Sequence, residues 1–279
     1  MEFGISIFFT DYSIGPAELA TAMEERGLGI LWVAEHSHIP VPRVTPPPGG
    51  GELAKRYYDV MDPFVTLAVA GAVTKKLKLG TGICLVIQRD TIQTAKSVAS
   101  LDQTSNGRVV FGIGGGWNAE EIESHGTPFA TRMLHMREQM EAMKEIWTKS
   151  TAEYHGETVN VTPMMTWPKP VQKPHPPIIL GGAFPWAARR AVRYGDGWFP
   201  NATSGDPEDY IPKFNKMAAD AGRKKLPISL GGAPMDADRL KRLRDLGIER
   251  VSTSVMSEKA DQLLPILDKW AGLMRQVNG

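Results

Sequence analysis

The feature that most restricts the fold of this chain is a strand-then-helix unit that recurs eight times in 279 residues. Short apolar runs rich in β-branched and aromatic residues predict the strands. Alternating strands and helices imply a parallel sheet, and eight units in this length favour a closed (β/α)8 barrel, the TIM barrel, over an open sheet. The predicted strands cover residues 3–9, 30–34, 77–84, 108–113, 177–180, 197–200, 227–230 and 249–255.

The predicted helices follow these strands as a single domain over residues 1–279. They are identified by apolar residues at helical spacing and by Pro or Asp at their starts, as at Asp62-Pro63. Their ranges are 17–26, 63–73, 91–104, 131–148, 186–194, 207–222, 238–246 and 259–277. Irregular insertions at about 36–60 and 150–175, the second with a short hairpin near His155-Gly156, are expected to cover the C-terminal mouth of the barrel.

Composition excludes several classes of protein. The formal net charge of +1 gives no reason to expect nucleic-acid or membrane partners. No apolar run is long enough for a membrane span, and no basic region precedes the first apolar stretch, so we expect a cytoplasmic protein. The only cysteine, Cys84, excludes an intrachain disulfide, and its apolar neighbours favour a buried, inert thiol over a nucleophile.

The run "VVFGIGGGWNAEE", which begins within the fourth strand and continues past its end, loosely matches a dinucleotide-binding fingerprint at Gly114, Gly116 and Ala119. That fingerprint requires a second strand ending in an acidic residue about 20 positions on, where this sequence is helical. The glycines instead fit the active face of a barrel, at the C-terminal end of a strand, although a plain tight turn is an alternative. Trp117, within this corner, is expected to lie against a planar ligand.

The second strand ends in "VAEHSH", which places Glu35, His36 and His38 at the same mouth. Histidine titrates near neutral pH, and a neighbouring glutamate can orient its ring, so these residues suit proton transfer. A metal site and a purely structural Glu–His contact are the alternatives. No second cluster of ligands supports a metal, and none is predicted.

Three further strand ends suggest ligand contacts. Glycines flank Thr81 after the third strand, where the backbone could approach a ligand. Gly181 and Gly182 precede a helix that opens near Pro185, which makes a ready anion site. Residues 230–234, "LGGAP", have the same pattern, but the basic pair that follows Gly182, Arg189 and Arg190, favours the earlier corner.

Taken together, the segments "LWVAEHSHIPV", "LKLGTGICLV", "SVASLDQTSNGRVVFGIGGGWNAEEIESHGTPFATR", "PPIILGGA" and "RYGDGWFP" resemble the bacterial luciferase-like superfamily, most of all its short coenzyme F420-dependent oxidoreductases. The resemblance implies a barrel that holds F420, or alternatively FMN, over its C-terminal mouth. It also implies a cis peptide at Gly82–Ile83 behind the ring, and it places Gly115 and Gly116 along the cofactor side chain. The phosphate is expected at a corner formed by Gly181, Gly182 and Ala183. Glu35 and His36 are expected at the reacting edge of the ring.

The resulting hypothesis is an oxidoreductase that transfers a hydride between F420 and a small, fairly apolar organic substrate. His36 would exchange the substrate proton, oriented by Glu35. Relatives that oxidise a sugar phosphate carry a glutamate where this chain has Trp117, which argues against that substrate. The alternatives are a reduced-FMN-dependent monooxygenase of the same fold and a non-catalytic flavin-binding protein.

Two expectations concern partners. The basic residues of the first insertion, Arg43, Lys55 and Arg56, could reach the acidic tail of the deazaflavin, or could equally belong to a solvated loop. Relatives suggest a homodimer formed through the helices at 63–73 and 91–104.

Overall fold

The computed structural model describes all 279 residues. Its ten strands are β1 (Glu2–Ile7), β2 (Ile30–Val33), β3 (Lys78–Thr81), β4 (Val109–Ile113), β5 (Ala152–His155), β6 (Asn160–Met164), β7 (Ile178–Gly181), β8 (Gly197–Phe199), β9 (Ser229–Gly231) and β10 (Arg250–Ser254). Its nine α-helices are α1 (Pro16–Glu25), α2 (Pro63–Val73), α3 (Thr91–Thr104), α4 (Ala119–Ser124), α5 (Arg132–Thr148), α6 (Trp186–Tyr194), α7 (Pro207–Asp220), α8 (Ala237–Asp245) and α9 (Ala260–Asn278).

The eight strands other than β5 and β6 form one parallel sheet in the order β8-β7-β4-β3-β2-β1-β10-β9. Its two edges meet, because Trp198 pairs with Ile228 and Asn201 pairs with Gly231 in parallel bridges. The predicted (β/α)8 barrel is therefore confirmed, and each predicted barrel strand and each predicted helix corresponds to an observed one, with ends that differ by a few residues. No helix combines the length and apolar character that crossing a bilayer requires.

A small buried cluster of strand residues, Ile30, Trp32, Val110 and Ile179, packs inside the barrel around its largest member, Trp32. Trp32 on β2 is fully buried, and its ring centroid lies 4.5 Å from that of Phe199 on β8. A Cβ on Gly80 of β3 would lie 2.3 Å from the indole of Trp32, so glycine is required there for the ring to fit. The indole and Phe199 together close the barrel beneath its C-terminal mouth.

A second apolar layer lies between the strands and the surrounding helices, and it contains most of the buried hydrophobic residues. Cys84 belongs to this layer and is fully buried. Burial raises the pKa of its thiol well above the ordinary value, which agrees with the inert thiol predicted from its neighbours. Asp62 caps α2 as predicted, because its carboxylate accepts hydrogen bonds from the backbone of Phe64 (2.8 Å) and Val65 (3.0 Å).

The second insertion packs on the side of the barrel. Its antiparallel hairpin, β5–β6, confirms the hairpin predicted near His155-Gly156. Glu138 of α5 holds the hairpin turn by accepting hydrogen bonds from the backbone of Glu157, Thr158 and Val159 at 2.7–3.1 Å. Farther along, Gln172 donates from its backbone to Asp102 of α3 at 2.9 Å.

Candidate active site

A cavity of about 390 Å³ opens at the C-terminal ends of the barrel strands. Each of the eight barrel strands, or the loop that directly follows it, contributes to its wall, as the sequence predicts for a barrel active site. The contributing residues are Ser6, Phe8, Ala34, Glu35, His36, Gly82, Ile83, Leu85, Gly114, Gly115, Gly116, Trp117, Gly181, Gly182, Phe199, Pro200, Asn201, Gly231, Gly232 and Ser254.

Only the first of the two insertions covers this mouth. Pro48 and Tyr57, both from the first insertion, line the cavity. No residue between 150 and 175 does so, and the prediction that the second insertion is a lid is wrong. The physical reason is that Glu138 and Asp102 bind backbone amides of this insertion and hold it against the outer helices.

Nine of the eleven predicted site residues line the cavity, and Thr81 and Ala183 do not. Thr81 is buried, and its hydroxyl donates to the carbonyl of Gly112 at 2.7 Å, which ties β3 to β4. Ala183 is an exposed residue just before α6. The nine lining residues are Glu35, His36, Gly82, Ile83, Gly115, Gly116, Trp117, Gly181 and Gly182.

The histidine of the site is held by a glutamate that the sequence did not reveal. Nδ1 of His36 lies 2.7 Å from Oε2 of Glu121, whose side chain is fully buried. The other carboxylate oxygen accepts from the backbone amide of Ser37 at 3.0 Å. Burial raises the pKa of Glu121, but the hydrogen bonds from His36 and Ser37 outweigh burial and leave that pKa below its ordinary value.

An ionised carboxylate only accepts hydrogen bonds, so Nδ1 of His36 must carry a proton. In the neutral ring this leaves Nε2 as the lone-pair acceptor, and in the protonated ring Nε2 becomes a donor. His36 lines the cavity, and its Nε2 forms no hydrogen bond within the protein. The pair can therefore exchange a proton with a molecule in the cavity in either direction.

Glu35, predicted to orient His36, has other partners, and this part of the prediction is wrong. Its carboxylate accepts from the backbone amide of Leu85 at 2.7 Å and from the guanidinium of Arg89. Arg89 also bonds the capping carboxylate of Asp62. Adjacent residues at a strand end point in different directions, so Glu35 braces the loops after β2 and β3 while His36 turns towards α4.

Glu121 lies on α4, a short helix that the sequence analysis missed. Asn118 followed by Glu120 and Glu121 is a signal for a helix start, since a cap residue and an acidic first turn are typical of one. Only six residues long, α4 shows no apolar periodicity. Its contact with His36 joins residues 85 positions apart, which no local pattern indicates.

His38, the last residue of the "EHSH" segment, belongs to a polar cluster that Ser37 connects to Glu121. His38 is hydrogen-bonded to Ser37 and Ser124 at 2.9 Å each, and Ser37 also bonds His125 at 2.7 Å. Glu35, His36 and His38 thus have three different sets of partners. No group of three potential ligands is arranged to hold a metal ion, so the metal alternative has no support in this geometry.

The predicted backbone features of the glycine corners are present. The Gly82–Ile83 peptide bond is cis, and Gly116 and Gly182 have φ of 61° and 122°. Ile83 explains two other glycines, because a Cβ on Gly114 or Gly181 would lie 2.0 Å or 2.6 Å from its side chain. Gly114 and Gly181 therefore leave the space that the side chain of Ile83 occupies in the cavity wall.

An unpaired cation stands beside the Gly181–Gly182 corner. Arg190 of α6 lines the cavity, and its Nε is buried without a hydrogen-bond partner. Burial lowers the pKa of Arg190, and no carboxylate neutralises it. Such a guanidinium, next to open backbone at a helix start, fits a phosphate. The competing corner at Gly231 and Gly232 also lines the cavity but has no such cation.

The opposite side of the mouth is aromatic. The ring of Tyr57 lies 4.8 Å from Phe8, 5.2 Å from His36 and 6.4 Å from Trp117, measured between centroids. These rings give the wall of the cavity near His36 an aromatic surface. A planar ligand or a small apolar molecule would find contacts there.

The basic residues of the first insertion lie close to aromatic rings or to a carboxylate. The guanidinium of Arg43 lies 5.5 Å from the centroid of Trp117, and Arg56 lies 5.4 Å from that of Phe8. Lys55 is paired with Asp59. The Nε of Arg56 is buried without a hydrogen-bond partner, so these contacts do not decide between a solvated loop and a role in binding an acidic tail.

Comparison with known proteins adds independent findings. A model of the luciferase-like monooxygenase family matches residues 1–254. An uncharacterized protein of Mycobacterium tuberculosis is 37% identical over 97% of this chain and 98% of its own. Among solved structures, an F420-dependent secondary alcohol dehydrogenase in complex with an F420-acetone adduct has a TM-score of 0.77 at 19% identity and full coverage of both chains. The FMN complex of a type II Baeyer-Villiger monooxygenase of Pseudomonas putida has a TM-score of 0.65 at 17% identity, covering 87% of this chain and 70% of that one.

Proposed function

The chain belongs to the luciferase-like monooxygenase family, and we propose that within it this protein transfers a hydride between coenzyme F420 and a small, fairly apolar carbinol or carbonyl compound. The observation that carries the proposal is the His36–Glu121 pair at the cavity wall, in which Nδ1 of His36 is bonded to Glu121 and Nε2 has no partner within the protein. Oxidation of an alcohol carbon releases a hydride and a hydroxyl proton, so such a site needs a positioned base as well as a hydride acceptor.

The residues of the cavity fit the cofactor. The glycine corners at 114–116 and 181–182 leave main chain exposed to a flat ring and its side chain, and Arg190 offers an unpaired guanidinium to a phosphate. When bound, F420 supplies the hydride-accepting or hydride-donating carbon. Neutral His36 would take the proton from a substrate hydroxyl through Nε2, and protonated His36 would return it to a carbonyl oxygen. Glu121 would keep the ring in the orientation that both steps need.

Solved structures of this fold include both an F420-dependent and an FMN-bound enzyme. Our choice of F420 over FMN therefore rests on the sequence motifs, which resemble the F420-dependent oxidoreductases most of all. An apolar substrate is supported by the aromatic rings of Trp117, Tyr57 and Phe8. The charged groups close to these rings are His36 and the two arginines that stack on them, Arg43 and Arg56. We also propose a homodimer through α2 and α3.

The first test is a binding titration of the purified protein with F420 and with FMN, followed by turnover with secondary alcohols. We expect F420 to bind at micromolar levels and to be reduced with no uptake of oxygen. His36→Asn should bind F420 unchanged and lose turnover by a factor of about 10²–10⁴, the usual contribution of a general acid–base group. Binding of FMN alone with oxygen consumption would replace this proposal by the monooxygenase alternative.

A further inference from the structure

A second, smaller cavity adjoins the phosphate corner and has an unusual charge. It measures about 350 Å³, lies between α5 and α6, and shares Met133 and Arg190 with the main cavity. Four of the residues that line it are arginines and none is acidic: Arg137, Arg189, Arg190 and Arg193. In a chain of net charge +1, this is a local concentration of unbalanced positive charge.

The positive face follows from the sequence of α6. Trp186, Arg189, Arg190 and Arg193 are spaced i, i+3, i+4 and i+7, which places them on one side of a helix. Arg189 lies 4.9 Å from the ring centroid of Trp186, so the aromatic side chain holds one guanidinium at the cavity edge.

Three of the four arginines lack an ionic partner. Arg189, Arg190 and Arg193 form no ion pair with any carboxylate, and the Nε atoms of Arg137 and Arg190 are buried without an acceptor. Arg137 is 3.7 Å from Glu138 and from Glu141. Those two carboxylates, which also accept hydrogen bonds from the β5–β6 hairpin, offset the charge of Arg137 and leave Arg189, Arg190 and Arg193 as the unpaired cations.

A phenol adds a neutral donor. Tyr194 lines the cavity, and its hydroxyl is buried without a hydrogen-bond partner. Burial raises the pKa of Tyr194 to about 12, so it remains protonated at neutral pH. Unpaired guanidinium groups and a protonated hydroxyl form a donor set that matches carboxylates or phosphates.

We propose that this cavity, the arginine pocket, is an anion-binding subsite that takes the carboxylate-bearing tail of the deazaflavin held in the main cavity. The inference rests on the proposed function, because it assumes F420 in that cavity. Arg190 lines both cavities. A cofactor whose phosphate binds Arg190 from the main cavity would therefore place the rest of its tail close to Arg189 and Arg193. Arg43, Lys55 and Arg56 instead contact Trp117, Asp59 and Phe8 in the first insertion.

The test compares dissociation constants for two forms of the cofactor: F420 with its chain of glutamates, and the same deazaflavin phosphate with the glutamates removed. Binding is measured on the full chain by calorimetry at low and at high salt. Removing the glutamates should weaken binding to the wild type about tenfold at low salt, since two exposed ion pairs contribute a few-fold each, and the difference should shrink at high salt.

The variant is Arg189→Gln with Arg193→Gln, which leaves Arg190 in place. It should bind both forms with the affinity that the wild type has for the form without glutamates. The matched control is Lys213→Gln with Lys269→Gln, which removes the same charge from exposed positions on α7 and α9 and should behave as the wild type. Thermal melts of both variants establish that the fold is retained.

Each other outcome has a defined meaning. If the form without glutamates binds and the glutamates add nothing, the tail subsite is wrong while the proposed function stands. If neither form binds the wild type, the proposed function itself fails. Inorganic pyrophosphate is the third probe: affinity for it that depends on Arg189 and Arg193, with no effect of the glutamates, would assign the arginine pocket to a separate anion and overturn the proposal.

Discussion

At the scale of single residues, two buried carboxylates near one histidine have different tasks. Glu121 accepts the hydrogen bond from His36, whereas Glu35 accepts from Leu85 and Arg89. Sequence adjacency pointed to Glu35, and only the fold brings Glu121 to the ring. The identity of the orienting residue could not be predicted because it depends on where a short helix crosses a strand end.

This difference makes Glu121→Gln and Glu35→Gln a matched pair. Glu121→Gln removes the charge that holds Nδ1–H, so kcat should fall by about 10²-fold, towards the effect of losing His36 itself. The dissociation constant for the cofactor should stay the same, because Glu121 is not part of the cavity wall.

For Glu35→Gln we expect a larger effect on stability than on kcat. The substitution weakens a buried bond to Arg89 and should cost about 1–3 kcal/mol of unfolding free energy, with a smaller change in kcat. Steady-state kinetics and urea denaturation of the two variants measure both quantities. Equal loss of kcat in both would mean that Glu121 has no special role towards His36.

At the scale of elements, the hairpin of the second insertion depends on one side chain. Glu138 is buried on α5 and accepts hydrogen bonds from three consecutive backbone amides and from the hydroxyl of Thr158. Burial raises the pKa of Glu138, but the backbone hydrogen bonds from Thr158 and Glu157 outweigh burial and leave it below the ordinary value.

A lowered carboxylate pKa stabilises the fold at any pH above the ordinary value of about 4.5, and this contribution is lost as the pH falls through the lowered value. Glu138→Gln should therefore reduce the unfolding free energy by about 1–3 kcal/mol at pH 7 and by progressively less below pH 4. Urea denaturation at several pH values measures this. The surface variant Glu153→Gln, on β5, is the control; the same loss at every pH would contradict the ionic contribution.

The elements themselves were largely predictable, and their departures have physical causes. The first residues of α2 and α7 are predicted correctly from an aspartate followed by a proline, because helix capping is a local interaction. The helix α4 was missed because its signal consists of one cap residue and two glutamates after a glycine run. The position of residues 150–175 was mispredicted because it is decided by Glu138 and Asp102, which lie on helices far from it in sequence.

At the scale of the whole molecule, the barrel leaves an apolar stripe exposed on α2. Val65, Val69 and Val73 are spaced by four residues and are 65%, 41% and 47% exposed, and Ile92 at the start of α3 is also exposed. The helices α2 and α3 pack against each other, so these side chains can form one surface. An exposed apolar surface of this kind commonly marks a self-association site, and a twofold axis would bury the same residues from both copies.

We therefore expect the wild-type protein to have twice the chain mass of 30.6 kDa in light scattering after size exclusion. Val65→Asp with Val69→Asp places charges in the centre of the proposed interface and should yield a folded monomer, because burying unpaired carboxylates costs more than the apolar contact gains. Val41→Asp, at a position that is 92% exposed in the first insertion, is the control and should remain a dimer. Circular dichroism checks the fold of each variant, and a wild type that elutes at 30.6 kDa at every concentration would rule out the dimer.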